Sequence, residues 1–235
     1  MKTIGLIGGM SWESSLEYYR IINEEVKARL GGLHSAKCVM LSVDFAEIET
    51  LQREGRWEES GHVLADAALR LERAGAGLII LCTNTMHKVA DAIEAQIHIP
   101  FLHIADAAAE RIKAAGLHTI GLLGTRFTME EDFYRTRLIE KHGLTIIIPD
   151  TAGREIVHRV IYDELVLGKV NPVSKQAYLD IIAGLVTAGA EGIILGCTEI
   201  GLLVHPEDTP VPLFDTTRIH AIAAVEAALI HKPSA

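Results

Sequence analysis

A chain of 235 residues, 49% apolar and 23% charged, can bury a sizeable core, as one large α/β domain or two smaller ones. Its formal net charge of −9 argues against nucleic acid or an anionic membrane as partner, so an anionic ligand must find positive potential supplied locally. No stretch reaches the roughly 18 apolar residues of a membrane span, the opening Met1-Lys2-Thr3 has no signal-peptide h-region, and three cysteines are an odd number for a disulfide framework, which together predict a cytoplasmic protein with reduced thiols.

Taken in order, the chain opens with a predicted strand and glycine turn, Thr3-Ile4-Gly5-Leu6-Ile7-Gly8-Gly9, followed by a helix. Cys38, inside Lys37-Cys38-Val39-Met40-Leu41, reads as a structural cysteine. Glu58 to Ala74 carries Val63, Leu64, Ala67, Ala68 and Leu71 at helical spacing and stops at Gly75. Gly75 to Thr85 (G-A-G-L-I-I-L-C-T-N-T) is an apolar run ending in small polar residues, the pattern of a central parallel strand buried on both faces. The pattern then starts again. Thr119-Ile120-Gly121-Leu122-Leu123-Gly124-Thr125 repeats the opening 116 residues on, and Tyr134 falls on Tyr18. Asn171 to Ala188 repeats the helix, entered through Asn171-Pro172 as a cap and first-turn proline. Gly189 to Glu199 (G-A-E-G-I-I-L-G-C-T-E) overlays Gly75 to Thr85 without a gap at an offset of 114, and Val211-Pro212-Leu213-Phe214 echoes Ile99-Pro100-Phe101-Leu102 at 112. Offsets that drift this little are what an old duplication leaves. The prediction is an α/β protein of two pseudo-symmetric lobes with parallel sheets, residues 1–115 and 116–235, the C-terminal segment being free to pack back on the first lobe. Ligands of such sheets collect beyond the carboxyl ends of the strands, here in a cleft between the lobes.

The overlay sets Thr83 opposite Cys197 and Cys82 opposite Gly196. Side chains alternate along a strand, so Cys82 is turned away from whatever Thr83 and Cys197 face and reads as structural. Cys197 is expected where a strand gives way to a helix, where backbone N–H groups lower a thiol pKa from about 8.5 toward neutrality. Thr83, Asn84 and Thr85 either cap a following helix or bind a small carboxylate. The turn Gly8-Gly9-Met10-Ser11 offers an anion nest. It does not fit G-x-G-x-x-G, so no nicotinamide cofactor is expected, and neither the eleven histidines nor the cysteines have metal-ligand spacing.

The T-N-T of Thr83-Asn84-Thr85 after one buried strand, Gly196-Cys197-Thr198-Glu199 after its repeat, and the opening G-L-I-G-G-M-S together resemble the aspartate/glutamate racemase family of cofactor-independent racemases, over nearly the whole chain. The resemblance implies two Rossmann-like lobes with the active site between them, a homodimer, an amino-acid substrate and no cofactor. It also implies two cysteines flanking the substrate α-carbon, one thiolate taking the α-proton while the opposite thiol delivers another. Cys197 matches the second-lobe cysteine; the first-lobe cysteine falls on Thr83, a departure from the symmetric pair. Asn84, Thr85 and Thr198 match positions that bind the α-carboxylate and ammonium, and Met10 and Ser11 match the first glycine-turn contacts. Thr125 and Glu199 complete the expected substrate-binding set. Lys169 resembles the family's distal lysine for a side-chain carboxylate, or is a solvated surface lysine. Gln52 lies where relatives carry an arginine; either it or the adjacent Arg53 points inward, and an uncharged Gln52 there admits neutral amino acids.

An amino-acid α-proton is very weakly acidic, so without a cofactor the site must stabilise the carbanion electrostatically. A thiolate suits the base role, whereas a threonine hydroxyl can at most donate or relay a proton. If the handedness of the family holds, Cys197 deprotonates the L-substrate and reprotonation from the Thr83 side gives the D form. Two other readings stay open: a single-cysteine reaction on the same scaffold, such as decarboxylation of a substituted malonate or cis–trans isomerisation of a dicarboxylate, and a binding protein that keeps the pocket without chemistry.

Overall fold

In the computed structural model, which describes residues 1–230, two four-stranded parallel sheets have the same strand order. The first compact unit is Met1–Ile104 together with residues 220–230. It contains β1 (Ile4–Gly8), α1 (Trp12–Leu30), β2 (Cys38–Ser42), α2 (Phe45–Arg53), α3 (Trp57–Arg73), β3 (Leu78–Leu81), a 3-10 turn over Thr85–Val89, α4 (Ala90–Glu94) and β4 (Phe101–Leu102), with strand order β2-β1-β3-β4. The second unit is Ala105–Ile219. Its elements are α5 (Ile104–Ala114), β5 (Thr119–Gly124), α6 (Arg126–Glu130), α7 (Asp132–Thr136), β6 (Thr145–Ile147), α8 (Thr151–Asp163), α9 (Pro172–Thr187), β7 (Gly192–Gly196) and β8 (Leu213–Asp215), ordered β6-β5-β7-β8; α10 (Thr216–Leu229) runs from here into the first unit.

The duplication read from the sequence is repeated in the packing. In β1, a Cβ on Gly5 would lie 2.6 Å from Ile79 Cδ1; in β5, a Cβ on Gly121 would lie 2.6 Å from Ile193 Cδ1. Each central strand thus carries a glycine where the neighbouring isoleucine fills its space. The helices end as their sequences predict: α3 runs into Gly75 at φ +93°, and Asn171 caps α9 by accepting the Val173 N–H, with Pro172 in the first turn.

Side-chain alternation divides the first core into two layers. Ile4, Leu6, Leu78, Ile80 and Cys82 pack with Tyr18, Ile22 and Val26 of α1 and with Ala221, Ala224, Val225 and Ala228 of α10. Ile7, Ile79 and Leu81 pack on the other face with Leu64, Ala68 and Leu71 of α3. Each large side chain buried this way contributes about 1.5–3 kcal/mol. The first of these layers explains where the units divide. The apolar face of α10 belongs to the first core, while α5 belongs from Ala105 to the second unit, earlier than the residue-115 boundary expected from the repeat. Duplicated strand units need not keep their last helices, because a helix packs wherever its buried face is matched.

In the second unit Asp106 of α5 accepts hydrogen bonds from Arg137 (2.7 and 2.8 Å), Lys141 (2.7 Å) and His142 (2.8 Å). Burial pushes this carboxyl pKa up, but the three hydrogen-bonding partners outweigh it and hold it well below the ordinary value. A depressed folded-state pKa adds stability above the ordinary Asp value of about 3.9 that is lost as pH falls through it. Asp106→Asn is therefore expected to cost about 1–3 kcal/mol at neutral pH, with the gap to the parent closing in acid; urea titrations at several pH values check this. No helix among the described residues is long and apolar enough to cross a membrane.

Candidate active site

In each unit, taken by itself, polar side chains follow the carboxyl end of a central buried strand, β3 in the first and β7 in the second. In the second unit β7 is buried throughout and ends at Gly196, and the next three residues are Cys197, Thr198 and Glu199. Glu199 is 5% exposed. One of its carboxylate oxygens accepts from the Cys197 thiol at 2.9 Å and from the Thr198 hydroxyl at 2.6 Å. Two donors on one oxygen satisfy a carboxylate that is otherwise withdrawn from water. The effect on the thiol is the reverse of the expected one. Burial, then the Glu199 charge and hydrogen bond, push the Cys197 pKa well above its ordinary value, and the backbone N–H groups of Glu199 and Thr198 only partly oppose them. The expected helix N-terminus is also missing: beyond Glu199 the chain makes a single 3-10 turn, Ile200–Leu202, too short to carry a dipole of consequence. At rest Cys197 is a thiol donating to a carboxylate. Glu199, expected to hold substrate, is the thiol's partner.

In the first unit the corresponding residues are Thr83, Asn84 and Thr85, all less than 10% exposed. They open the 3-10 turn Thr85–Val89, and Asn84 at its N-cap makes no side-chain capping bond, so the helix-cap reading does not account for it. Cys82 lies fully buried in the apolar layer with Leu78 and Ile80, and burial holds its thiol pKa far above normal; burial likewise pushes Cys38 up to about 11. Gln52 and Arg53 of α2 separate cleanly. Arg53 is exposed and paired with Glu49, whereas Gln52 is buried and its amide donates to Met86 Sδ at 2.8 Å, within the 3-10 turn Thr85–Val89.

The turn Gly8-Gly9-Met10-Ser11, expected to offer an anion nest, uses one of its donors internally. The Gly9 N–H donates to Ser15 Oγ at 2.8 Å, so this donor is used inside the turn. Gly9 itself is required there: its φ is +97° and a Cβ would lie 2.2 Å from the Val43 carbonyl oxygen. Met10 is buried in the core layer of Ile7 and Leu81. Ser11 caps α1 by accepting the Ser14 N–H, and Thr125 caps α6 by accepting the Thr128 N–H, both at 3.3 Å. The two turns thus share a cap. Lys169 follows the left-handed Gly168, is exposed, and among the described residues forms no ion pair. No cluster of three or more potential metal-binding side chains occurs among the described residues.

Sequence reasoning misses His87, four residues after Thr83, which is 2% exposed and lies 2.7 Å through Nδ1 from the Thr83 carbonyl oxygen. Metal-ligand spacing does not single it out; its i, i+4 relation to the strand end is the signal that could have.

The Asp/Glu/hydantoin racemase family model matches residues 7–224, and the chain belongs to that family, whose members are isomerases. A proposed Asp/Glu racemase from Yersinia pestis is 58% identical in sequence, covers 98% of this chain and 100% of its own, and superposes with a TM-score of 0.93. An aspartate racemase homologue from Pyrococcus horikoshii is 36% identical over 97% of this chain and 99% of its own, with a TM-score of 0.85. Among curated proteins, a broad specificity amino-acid racemase from Bacillus subtilis is 21% identical over 182 residues, 74% of this chain and 75% of its own.

Glu199→Gln is expected to lower the Cys197 thiol pKa, because the substitution removes the carboxylate charge that opposes the thiolate. Thiolate ultraviolet absorbance followed through a pH titration, with Cys197→Ala as the blank, measures it; an unchanged or raised midpoint would count against the Cys197–Glu199 contact.

Proposed function

We propose that the protein racemises amino acids with acidic side chains, aspartate or glutamate, without a cofactor, and that Cys197 is the residue that moves the α-proton. The observation that carries this reading is the Cys197 thiol donating to Glu199 at the end of a buried central strand, in a chain of the racemase family. Glu199 takes the thiol proton as the substrate binds, the thiolate takes the proton from the L-substrate α-carbon, and the electron pair left on that carbon spreads into the α-carboxylate. Asn84, Thr85 and Thr198 hold that carboxylate and the ammonium, and Lys169 receives the side-chain carboxylate. Reprotonation from the Thr83 side gives the D form, Thr83 relaying a proton from water, since a threonine alkoxide is inaccessible near neutral pH; the hydroxide left by that water takes the proton held by Glu199, which restores the starting thiol and carboxylate.

Resting-state protonation of Cys197 has a use here. A half-buried thiol donating to a carboxylate holds its proton at rest, so the base appears only by internal transfer to Glu199, and a proton-transfer pair of this kind is worth about 10²–10⁴-fold in rate. One thiol is also the set that protonates the carbanion left by loss of CO₂ from a substituted malonate, and that reaction is the second reading.

Incubation with L-aspartate and L-glutamate in deuterated water tests both. Exchange of the α-proton with appearance of the D form is expected for the parent, and CO₂ release from malonates without exchange would replace the racemase reading by the decarboxylase one. Cys197→Ala should abolish exchange, whereas Cys82→Ala, in the apolar layer, should leave turnover within about threefold and cost roughly 1 kcal/mol of stability. Thr83→Cys should raise turnover of the D-substrate at least about tenfold, or about 1.4 kcal/mol of barrier, by supplying the second thiol. Initial rates for both enantiomers decide it.

A further inference from the structure

His87 offers the firmest unassigned chemistry in the first unit. Its ring is buried among Phe101, His103 and His220, with ring centroids 5.5, 4.5 and 5.9 Å away. Nε2 lies 3.2 Å from the Ile104 backbone nitrogen and Nδ1 lies 2.7 Å from the Thr83 carbonyl oxygen. An N–H can only donate, so Nε2 accepts; the hydrogen must then sit on Nδ1, which donates to Thr83. The imidazole thus ties the carboxyl end of β3 to Ile104, the last residue of this stretch of the first unit, whose N–H needs an acceptor. A second histidine packs edge-on against the first. His220 Nε2 donates to the Leu102 carbonyl at 2.8 Å, leaving its Nδ1 to accept from the Tyr18 hydroxyl at 2.9 Å. The duplicated position in the second unit, 114 residues on, is Gly201, so this support belongs to the threonine-bearing strand end alone.

We propose that His87 is a positioning residue: its imidazole, held as the Nδ1–H tautomer, fixes the Thr83 carbonyl and so sets the orientation of the Thr83-Asn84 peptide and of the side chains that leave it. The inference rests on the racemase reading for its kinetic consequence and on the geometry alone for its structural one. A hydroxyl has a narrower geometry for proton relay than a thiolate has for proton capture, so the strand end without a cysteine depends more on a fixed backbone.

Three variants separate positioning from general stability. His87→Asn keeps an N–H at the Nδ1 level, His87→Gln keeps an acceptor at the Nε2 level, and His87→Leu keeps neither. In α-proton exchange with L-aspartate, His87→Leu is expected to lose at least about tenfold, mainly in kcat, with His87→Asn recovering to within about threefold and His87→Gln staying low. Long-range ¹H–¹⁵N spectra of the parent should report the Nδ1–H tautomer, and the Asn84 amide resonance should shift in the Leu variant and stay in the Asn variant. Equal recovery by Gln and Asn, or activity that follows thermal stability across the three, would overturn the proposal, as would an Nε2–H tautomer. If the parent exchanges no proton, the racemase reading falls by itself; the tautomer and the Asn84 resonance then decide whether His87 positions Thr83, and an Asn84 amide unmoved in His87→Leu overturns it.

Discussion

A strand buried on both faces has to be apolar until it leaves the sheet, and this constraint sets where chemistry can occur in this protein. β1, β3 and β7 are buried from end to end, with no polar side chain along them. An unpartnered hydroxyl or carboxylate within them would cost several kcal/mol. The polar groups are therefore compressed into the three or four residues after each strand, where backbone and side-chain donors become available together. Thr83-Asn84-Thr85 and Cys197-Thr198-Glu199 are the two results.

The two strand ends show how a duplicated framework diverges. The glycine against isoleucine packing of Gly5 with Ile79 and Gly121 with Ile193 has been kept, because any larger residue would overlap the neighbouring strand. The caps Ser11 and Thr125 have been kept in function although not in identity. What has changed lies beyond the strands: a hydroxyl set supported by His87 in one unit, a thiol and carboxylate pair in the other. Core positions answer to volume, whereas edge positions answer to hydrogen-bond partners, and a partner can be exchanged for another without altering the sheet.

The thiol of Cys197 shows the limit of reasoning from element type. A strand end leading into a helix implies an electropositive site for sulfur, and the backbone N–H contribution is present. It is outweighed by burial and by a carboxylate two residues along the chain. Glu199 is in plain view as the last letter of G-C-T-E, but whether a side chain two residues away turns back to the sulfur or out to a ligand depends on the backbone between them. Gln52 and Arg53 pose the same kind of question, settled by one residue lying against Met86 and the other pairing with Glu49 on the surface.

Periodicity and self-similarity along the chain are enough for the α/β class, the parallel strands, the repeat, the main helices with the Gly75 stop and the Asn171 cap, and the parity that buries Cys82, since all of these depend on spacing; Ser11 and Thr125, which cap helices, read in the sequence as substrate contacts instead. Tertiary structure decided the rest. The apolar face of α10 matched the first core, the Gly9 N–H was spent on Ser15, and the imidazole of His87 met a carbonyl four residues back and an N–H seventeen residues on. Sequence pattern records which face of an element is apolar, and so which elements form. Hydrogen-bond partners are set by distances between atoms far apart in the chain, which only the folded backbone fixes.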